Sequence, residues 1–182
     1  MVGCCKMWSL WSIGCLVVAV FVPVAAGFSG TAFGGGGDTE WYKELNKPSW
    51  TPPDWVFPVM WTTLYILMGI SSWLVWKEGG FAAQGYPLGA YIFQLALNFL
   101  WTPIFFGMHR PGYALVEIVI LWLAITVTIF LFYPVNPIAA YLLIPYIAWV
   151  TVATSLNWYI WLYNGGTDIT QPLQSERSAY AK

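Results

Sequence analysis

The sequence predicts an all-α membrane protein, an integral bundle of five transmembrane helices. Of its 182 residues, 59% are hydrophobic and only 8% are charged, against about 25% charged residues in an ordinary soluble domain. A helix of about 20 apolar residues spans a hydrocarbon core of roughly 30 Å. Five apolar runs reach this length, at about 8–28, 56–76, 86–107, 113–133 and 138–163.

The first run has two interpretations. Lys6, an apolar stretch and "PVAAG" resemble a secretory signal peptide, whose cleavage would leave four spans. We prefer retention of the run as span one, because it contains two tryptophans and a proline and four comparable runs follow it. Cys4 and Cys5 beside this run are interpreted as free thiols, with palmitoylation as the alternative.

The connection after span one is the longest, at about 29–55, and the remaining connections are short. It begins with the Gly-rich "SGTAFGGGGDT" and continues as the stiffer, proline-containing "EWYKELNKPSWTPPDW". We therefore expect one transmembrane domain over residues 1–164, with 29–55 as a lid. The polar residues 165–182 are expected to form a disordered tail.

Basic residues are distributed unequally between the two sides of the predicted bundle. Lys6 and Lys77 fall on one side, and the other side carries Lys43, Lys47, Arg110, Arg177 and Lys182. By the positive-inside rule, this distribution favours a cytoplasmic location for the 29–55 loop.

Composition also excludes several classes of function. The net charge of −1 provides no basic surface for nucleic acid. Cys4, Cys5, Cys15 and the single histidine, His109, form neither a disulfide framework nor a metal site, so no metal and no cofactor are expected. Glu117 is the only carboxylate well within a span. Without a second acid beside it, we interpret it as either reaching the interface or lying near the positive N-terminus of its helix.

Three predicted helices each carry aromatic and polar side chains on one face. The helical spacing aligns Trp61 with Tyr65, Asn98 with Trp101, and Trp149 with Ala153 and Leu156. Such stripes are typical of interhelical contacts and interfacial tryptophan belts. On three helices together they also describe a small-molecule cavity with flat apolar walls and a few polar anchors.

Three long segments resemble the translocator protein family, also called the peripheral benzodiazepine receptor or tryptophan-rich sensory protein family. They are "WYKELNKPSWTPPDWVFPVMWTTLYILMG" (41–69), "QLALNFLWTPIFFG" (94–107) and "LLIPYIAWVTVATSLNWYIW" (142–161). The resemblance extends from about residue 10 to about residue 164. It implies five transmembrane helices, a homodimer in the lipid bilayer, and a ligand cavity that opens towards the first loop.

The resemblance also implies roles for individual residues. The cavity would be lined by Trp61, Tyr65, Asn98, Trp101, Trp149, Ala153 and Leu156. The lid would contain Trp41, Tyr42, Pro48, Trp50 and Pro53. Its prolines restrict the backbone, so that the aromatic rings keep their positions over a planar ligand.

The expected function is that of a receptor or carrier for porphyrins such as protoporphyrin IX, with a role in tetrapyrrole or lipid transport or in stress regulation. Haem, sterols and benzodiazepine-type drugs are further ligands that the resemblance implies. The sterol motif of the animal members is absent, because Trp158 and Leu162 occupy its tyrosine and arginine positions.

An enzymatic alternative is light- and oxygen-dependent degradation of protoporphyrin IX, with Trp61 and Trp149 as the redox residues. The expected membrane is the mitochondrial outer membrane or a membrane of the endoplasmic reticulum and secretory system in a eukaryote, and the cell envelope in a bacterium.

Overall fold

A computed structural model describes residues 10–34 and 39–166. Within these ranges the chain forms seven α-helices and one π-helical turn. The helices are α1 (Leu10–Gly34), α2 (Glu40–Glu44), α3 (Val56–Trp76), α4 (Gly80–Thr102), α5 (Pro111–Phe132), α6 (Pro137–Leu142) and α7 (Ile144–Tyr163), and the π-helical turn is Pro103–Gly107. Palmitoylation of Cys4 or Cys5 and the disordered tail are predictions that fall outside the described residues, apart from Gly165 and Gly166 of the tail.

The predicted all-α bundle is confirmed. The described residues contain five segments long and apolar enough to cross a membrane: Ser12–Gly30, Val56–Trp76, Gly80–Gly107, Pro111–Phe132 and Pro137–Tyr163. Many large apolar side chains on their outer faces are exposed, Phe21 and Phe130 among them. In a chain with five such segments, these faces are solvated by lipid.

The first helix extends further than its apolar run indicates. The sequence places its end near residue 28, whereas α1 continues to Gly34, so the loop that follows is shorter than predicted. Ser29 is accommodated in the helix because its Oγ donates a hydrogen bond to the Ala26 carbonyl over 2.9 Å. Helical structure keeps backbone groups paired at the edge of the hydrocarbon, where unpaired groups are costly.

The third span also begins earlier than predicted, at Gly80 rather than near residue 86. Gly79 and Gly80 make the preceding turn with positive φ angles of 124° and 63°, which glycine adopts without steric cost. The part of α4 that precedes the predicted start is kinked at Gln84. Pro87 lies one turn later, and its ring and missing N–H disturb the helix there.

The fifth span is a broken helix rather than the continuous one predicted. The backbone turns at Leu143, between α6 and α7, and Pro145 lies in the first turn of α7. Proline cannot donate the hydrogen bond that would join the two helices. The start of α6 is fixed by Asn136, whose Oδ1 accepts from the backbone N–H groups of Ile138 at 3.1 Å and Ala139 at 3.2 Å.

Close helix contacts position the walls of the bundle. Helix α1 packs on α3, α4 on α5, and α5 on α7. Gly69 permits the first contact, because a Cβ at this position would lie 2.5 Å from Val20 Cα and 2.7 Å from the Ala19 carbonyl oxygen. The Trp73 indole N–H also donates to the Ser12 carbonyl over 3.1 Å.

Glu117 is buried inside the bundle, so its side chain does not extend to the interface, contrary to one of the two sequence-based interpretations. Its side chain is only 8% exposed, and neither carboxylate oxygen accepts a hydrogen bond from the described residues. Helix α5 packs against α4, α7 and the π-helical turn, and the Glu117 side chain is buried among these elements.

Candidate ligand-binding site

One cavity of about 310 Å³ lies inside the bundle, at the end where the first loop covers it. Helices α1, α3, α4, α5 and α7 and the π-helical turn all contribute side chains to its walls. The volume is at the small end of the range of about 300–1,000 Å³ for ligand pockets. A cavity of this kind accommodates a compact apolar ligand, or a larger planar one that extends through the mouth.

Trp61, Tyr65 and Asn98 make one wall of the cavity. Trp61 and Tyr65 are one turn apart on α3, and their rings stack with centroids 5.6 Å apart and an interplanar angle of 25°. The Tyr65 hydroxyl donates to Asn98 Oδ1 on α4 over 3.0 Å. This bond fixes the Tyr65 ring, so that the wall presents two flat surfaces beside a polar amide.

Asn157 joins three elements at another wall. Its Oδ1 accepts from the Trp101 indole N–H at 3.1 Å, and its Nδ2 donates to the Pro111 carbonyl at 2.8 Å. Trp101 in turn stacks on Phe105, with centroids 4.9 Å apart and an interplanar angle of 19°. The amide thus holds the Trp101 ring at the cavity surface and satisfies its polar N–H group.

The lid segment, which we define as residues 39–55, is attached to the bundle mainly by aromatic contacts. Tyr42 is 6% exposed and lies 5.4 Å from the Phe106 ring and 6.3 Å from the Phe105 ring, centroid to centroid. Trp41 stacks on His109 at 4.4 Å and meets the edge of Phe105 at 5.6 Å. The π-helical turn therefore provides the surface on which α2 rests.

Hydrogen bonds connect the lid segment to the end of α7. The Asn46 backbone N–H donates to Asn164 Oδ1 over 2.8 Å, and Asn164 Nδ2 donates back to the Asn46 carbonyl over 3.0 Å. Asn46 Nδ2 also donates to the Tyr163 carbonyl over 3.3 Å. These three hydrogen bonds attach the lid segment to the end of α7, in addition to its aromatic contacts with the π-helical turn.

Asp54 is the only charged residue among the described residues that line the cavity. It is exposed and precedes the first turn of α3. Burial raises the pKa of Tyr42 to about 12, and the negative charge of Asp54 adds to this effect. The Tyr42 hydroxyl is therefore neutral at physiological pH.

All seven residues predicted for the cavity lie on its surface: Trp61, Tyr65, Asn98, Trp101, Trp149, Ala153 and Leu156. Their role in binding stays a prediction. Of the five predicted lid residues, Tyr42 alone lines the cavity. Pro48 is buried outside the cavity lining, Pro53 is exposed, and Trp50 is 51% exposed. Trp41 meets the edge of the Phe105 ring and does not line the cavity.

The sequence analysis missed much of the lining. The further lining residues are Gly27, Phe28, Asp54, Phe57, Pro58, Thr62, Thr102, Phe105, Phe106, Ile118, Leu121, Asn157 and Ile160. Phe105, Phe106 and Asn157 lie in the segments that carry the family resemblance, so these segments could have indicated them as lining residues. Gly27, Ile118 and Leu121 lie in uniformly apolar runs that contain no such signal.

Potential metal ligands do not converge in the described parts of the chain. Residues 10–34 and 39–166 contain no group of three histidine, cysteine, aspartate or glutamate side chains that could hold a metal ion. The polar groups at the cavity surface are amides, hydroxyls, indole N–H groups and one carboxylate. This arrangement is suited to binding an organic molecule.

Comparisons with known proteins agree with this architecture. The model of the TspO/MBR family matches residues 19–162. Translocator protein of Homo sapiens is 47% identical over 146 residues, which cover 79% of this chain and 86% of that protein. Protein CrtK of Rhodobacter capsulatus is 44% identical over 155 residues, 83% of this chain and 94% of that protein. Tryptophan-rich sensory protein of Cereibacter sphaeroides is 46% identical over 118 residues, 65% of this chain and 73% of that protein. The chain is therefore an integral membrane protein that belongs to the TspO/MBR family.

Proposed function

We propose that this protein is a membrane receptor or carrier that binds a planar tetrapyrrole, protoporphyrin IX or a close relative, in the cavity beneath the lid segment. The observation that carries the proposal is the wall formed by Trp61, Tyr65 and Asn98, with stacked rings beside a fixed amide. Flat aromatic surfaces match the faces of a porphyrin, and the amide offers a partner to a polar group at its edge.

A binding role fits the chemistry of the lining better than hydrolytic or acid–base catalysis. Asp54 is the only acid among the described lining residues, and no histidine or cysteine is among them. Paired carboxylates or a nucleophile with an adjacent base are therefore missing from this surface. Affinity would come from the burial of ring surface, since apolar burial contributes about 25 cal/mol per Å².

The proposal is tested by titration of the detergent-purified protein with protoporphyrin IX in the dark, with tryptophan quenching as the signal. Ala153→Leu adds bulk to the cavity wall and is expected to weaken binding by at least about tenfold. Ala148→Leu is the matched control, because Ala148 is exposed on the same helix and outside the cavity. Absence of saturable quenching, or equal affinities of the two variants, would contradict the proposal.

The enzymatic alternative rests on the position of Trp61 and Trp149 in the same cavity. Indole is an oxidisable side chain, and two indoles would contact a bound porphyrin. Under light and oxygen, a protein-dependent change in the porphyrin spectrum would favour this alternative. Its disappearance in Trp61→Phe and Trp149→Phe at equal porphyrin occupancy would assign the reaction to these tryptophans.

Location and assembly are parts of the same proposal. We expect the mitochondrial outer membrane or a membrane of the secretory system in a eukaryote, the cell envelope in a bacterium, and a homodimer in either case. Fractionation and cross-linking in native membranes test these expectations. Sterols, haem and benzodiazepine-type drugs are candidates for competition with the bound porphyrin.

A further inference from the structure

Glu117 is the one buried carboxylate in the described part of the bundle. Its side chain is 8% exposed, and neither of its oxygens accepts a hydrogen bond from the described residues. No ion pair joins it to any described lysine or arginine, which are Lys43, Lys47, Lys77 and Arg110. Ionisable side chains within membrane-spanning segments are costly, and those that occur mark functional sites.

Glu117 lies beside the wall of the ligand cavity. It directly precedes Ile118 and comes one turn before Leu121 on α5, and both of these residues line the cavity. Position 117 belongs to the second turn of α5, whereas the favourable effect of a helix N-terminus on a negative charge is confined to the first turn. Neither a basic side chain nor the helix end therefore compensates a charge at this position.

The titratable group that faces Glu117 is a tyrosine of α7. Tyr146 is fully buried, and its hydroxyl group interacts electrostatically with Glu117, and also with Tyr91 of α4 and Tyr65 of α3. Of the other elements that pack on α5, the π-helical turn has no titratable residue, and the one titratable residue of α6, Tyr141, is exposed. The surroundings of Glu117 thus contain hydroxyl groups but supply no positive charge.

A negative charge is unstable in these surroundings. An isolated carboxylate in an apolar interior costs several times more free energy than one hydrogen bond returns. A proton removes this charge, and the neutral acid can also donate a hydrogen bond, which a carboxylate cannot do. An apolar ligand displaces water from the wall that contains Ile118 and Leu121, and loss of nearby water disfavours the charged form further.

We propose that Glu117 is a proton-binding site inside the bundle and that its proton is linked to ligand binding. With the proton bound, the wall beside Glu117 is uncharged and accepts an apolar ring system. Loss of the proton to the solvent leaves a negative charge beside the wall, so the ligand binds less tightly. Linkage is reciprocal, so a bound ligand also strengthens proton binding. The linkage rests on the proposed function, whereas proton binding by Glu117 does not.

Infrared spectroscopy tests proton binding directly, because a protonated carboxylic acid has a carbonyl absorption that a carboxylate lacks. The full-length protein and its Glu117→Gln variant are compared at neutral pH in a detergent without carbonyl groups. Exposed acids are ionised at this pH, so we expect the acid absorption in the wild type and its loss in Glu117→Gln. Glu44→Gln is the matched control, because Glu44 is exposed and does not line the cavity; it should leave the absorption unchanged.

The linkage is tested with protoporphyrin IX dimethyl ester, a neutral probe whose dissociation constant is measured by tryptophan quenching in the dark. The pH is raised from about 7 to about 9, a range reached by buried glutamates and below the ordinary range of tyrosine. In the wild type and in Glu44→Gln, we expect the dissociation constant to rise by about threefold to tenfold, the factor for a linkage of half a pH unit to one unit. In Glu117→Gln, which has no proton to lose, the constant should stay the same.

Three results would overturn the inference. The first is the same acid absorption in wild type and Glu117→Gln, which would mean that Glu117 holds no proton at neutral pH. The second is the same pH dependence of ester binding in both proteins; binding itself would then leave the proposed function intact. The third is failure of the ester and of protoporphyrin IX to bind, which would remove the linkage together with the proposed function, while the infrared result would still decide whether Glu117 binds a proton. If Glu117→Gln does not fold, the wild type gives the same decision, because its acid absorption should disappear as the pH is raised.

Discussion

Gly27 is the position at which a single methyl group should disturb the cavity most directly. It lies on α1 and lines the cavity opposite α3. A Cβ added there would overlap the Tyr65 ring and lie 2.7 Å from the Tyr65 hydroxyl oxygen. Gly27→Ala must therefore move either the ring or α1.

The cost follows from what holds the Tyr65 ring in place. The ring is 8% exposed, stacks on Trp61 and donates to Asn98 over 3.0 Å. Overpacking costs about 1–3 kcal/mol, and loss of the hydrogen bond costs about 1 kcal/mol more. We expect Gly27→Ala to lower the free energy of unfolding by about 2–4 kcal/mol and to weaken porphyrin binding as Tyr65 shifts.

Gly14→Ala is the matched control on the same helix. No atom of a neighbouring element lies within 4 Å of a Cβ at Gly14, so the methyl group meets no obstacle. Alanine is favoured over glycine in a helix by about 1 kcal/mol, so this variant should be neutral or slightly more stable. Unfolding in detergent, followed by tryptophan fluorescence with rising denaturant, measures both variants.

A double substitution separates the proposed clash from a general effect on α1. In a Tyr65→Ala background the obstacle is absent, so Gly27→Ala should cost less than about 1 kcal/mol there. Equal stabilities of Gly27→Ala and Gly14→Ala, or an undiminished cost in the Tyr65→Ala background, would refute the packing of α1 against α3 described above.

Two further predictions concern the lid segment. Asn164→Ala removes both bonds to the Asn46 backbone. At about 1 kcal/mol for each bond, porphyrin dissociation in stopped-flow experiments should accelerate by roughly thirtyfold, and an unchanged rate would exclude Asn164 from lid closure. Because the pKa of Tyr42 is raised to about 12 by burial and by Asp54, its contribution to lid closure should be complete below the ordinary tyrosine pKa of about 10 and lost as pH rises towards 12. Dissociation rates between pH 9 and 12 should therefore rise in wild type and rise less in Tyr42→Phe, whereas identical profiles would contradict this linkage.

The membrane architecture could be predicted from the sequence because it depends on length and hydrophobicity. Runs such as 113–133 contain enough apolar residues to cross a bilayer and few alternatives to helix, since lipid does not hydrogen-bond to the backbone. The helix ends were less predictable. The continuation of α1 to Gly34 and the break at Leu143 depend on how individual Gly, Ser and Pro residues are accommodated by their neighbours.

The candidate site was predictable where helical spacing places several functional side chains on one face. Trp149, Ala153 and Leu156 illustrate this, because residues three and four positions apart on a helix share a face. The lid was less predictable. Tryptophan and proline also occur in the cavity lining, yet Trp50 and Pro53 are exposed. A loop has no helical periodicity that would indicate which of its side chains turn inwards.

The sequence by itself therefore determined the five spans, the family resemblance and the aromatic faces of three helices, because these properties depend on neighbours along one helix. Only the tertiary structure decided that Gly27 meets Tyr65, that Asn164 bonds to the lid segment, and that Asp54 is the one charged residue among the described residues of the cavity lining. Each of these depends on the rotation and separation of helices that are distant in the chain. Packing of the whole bundle sets these two quantities.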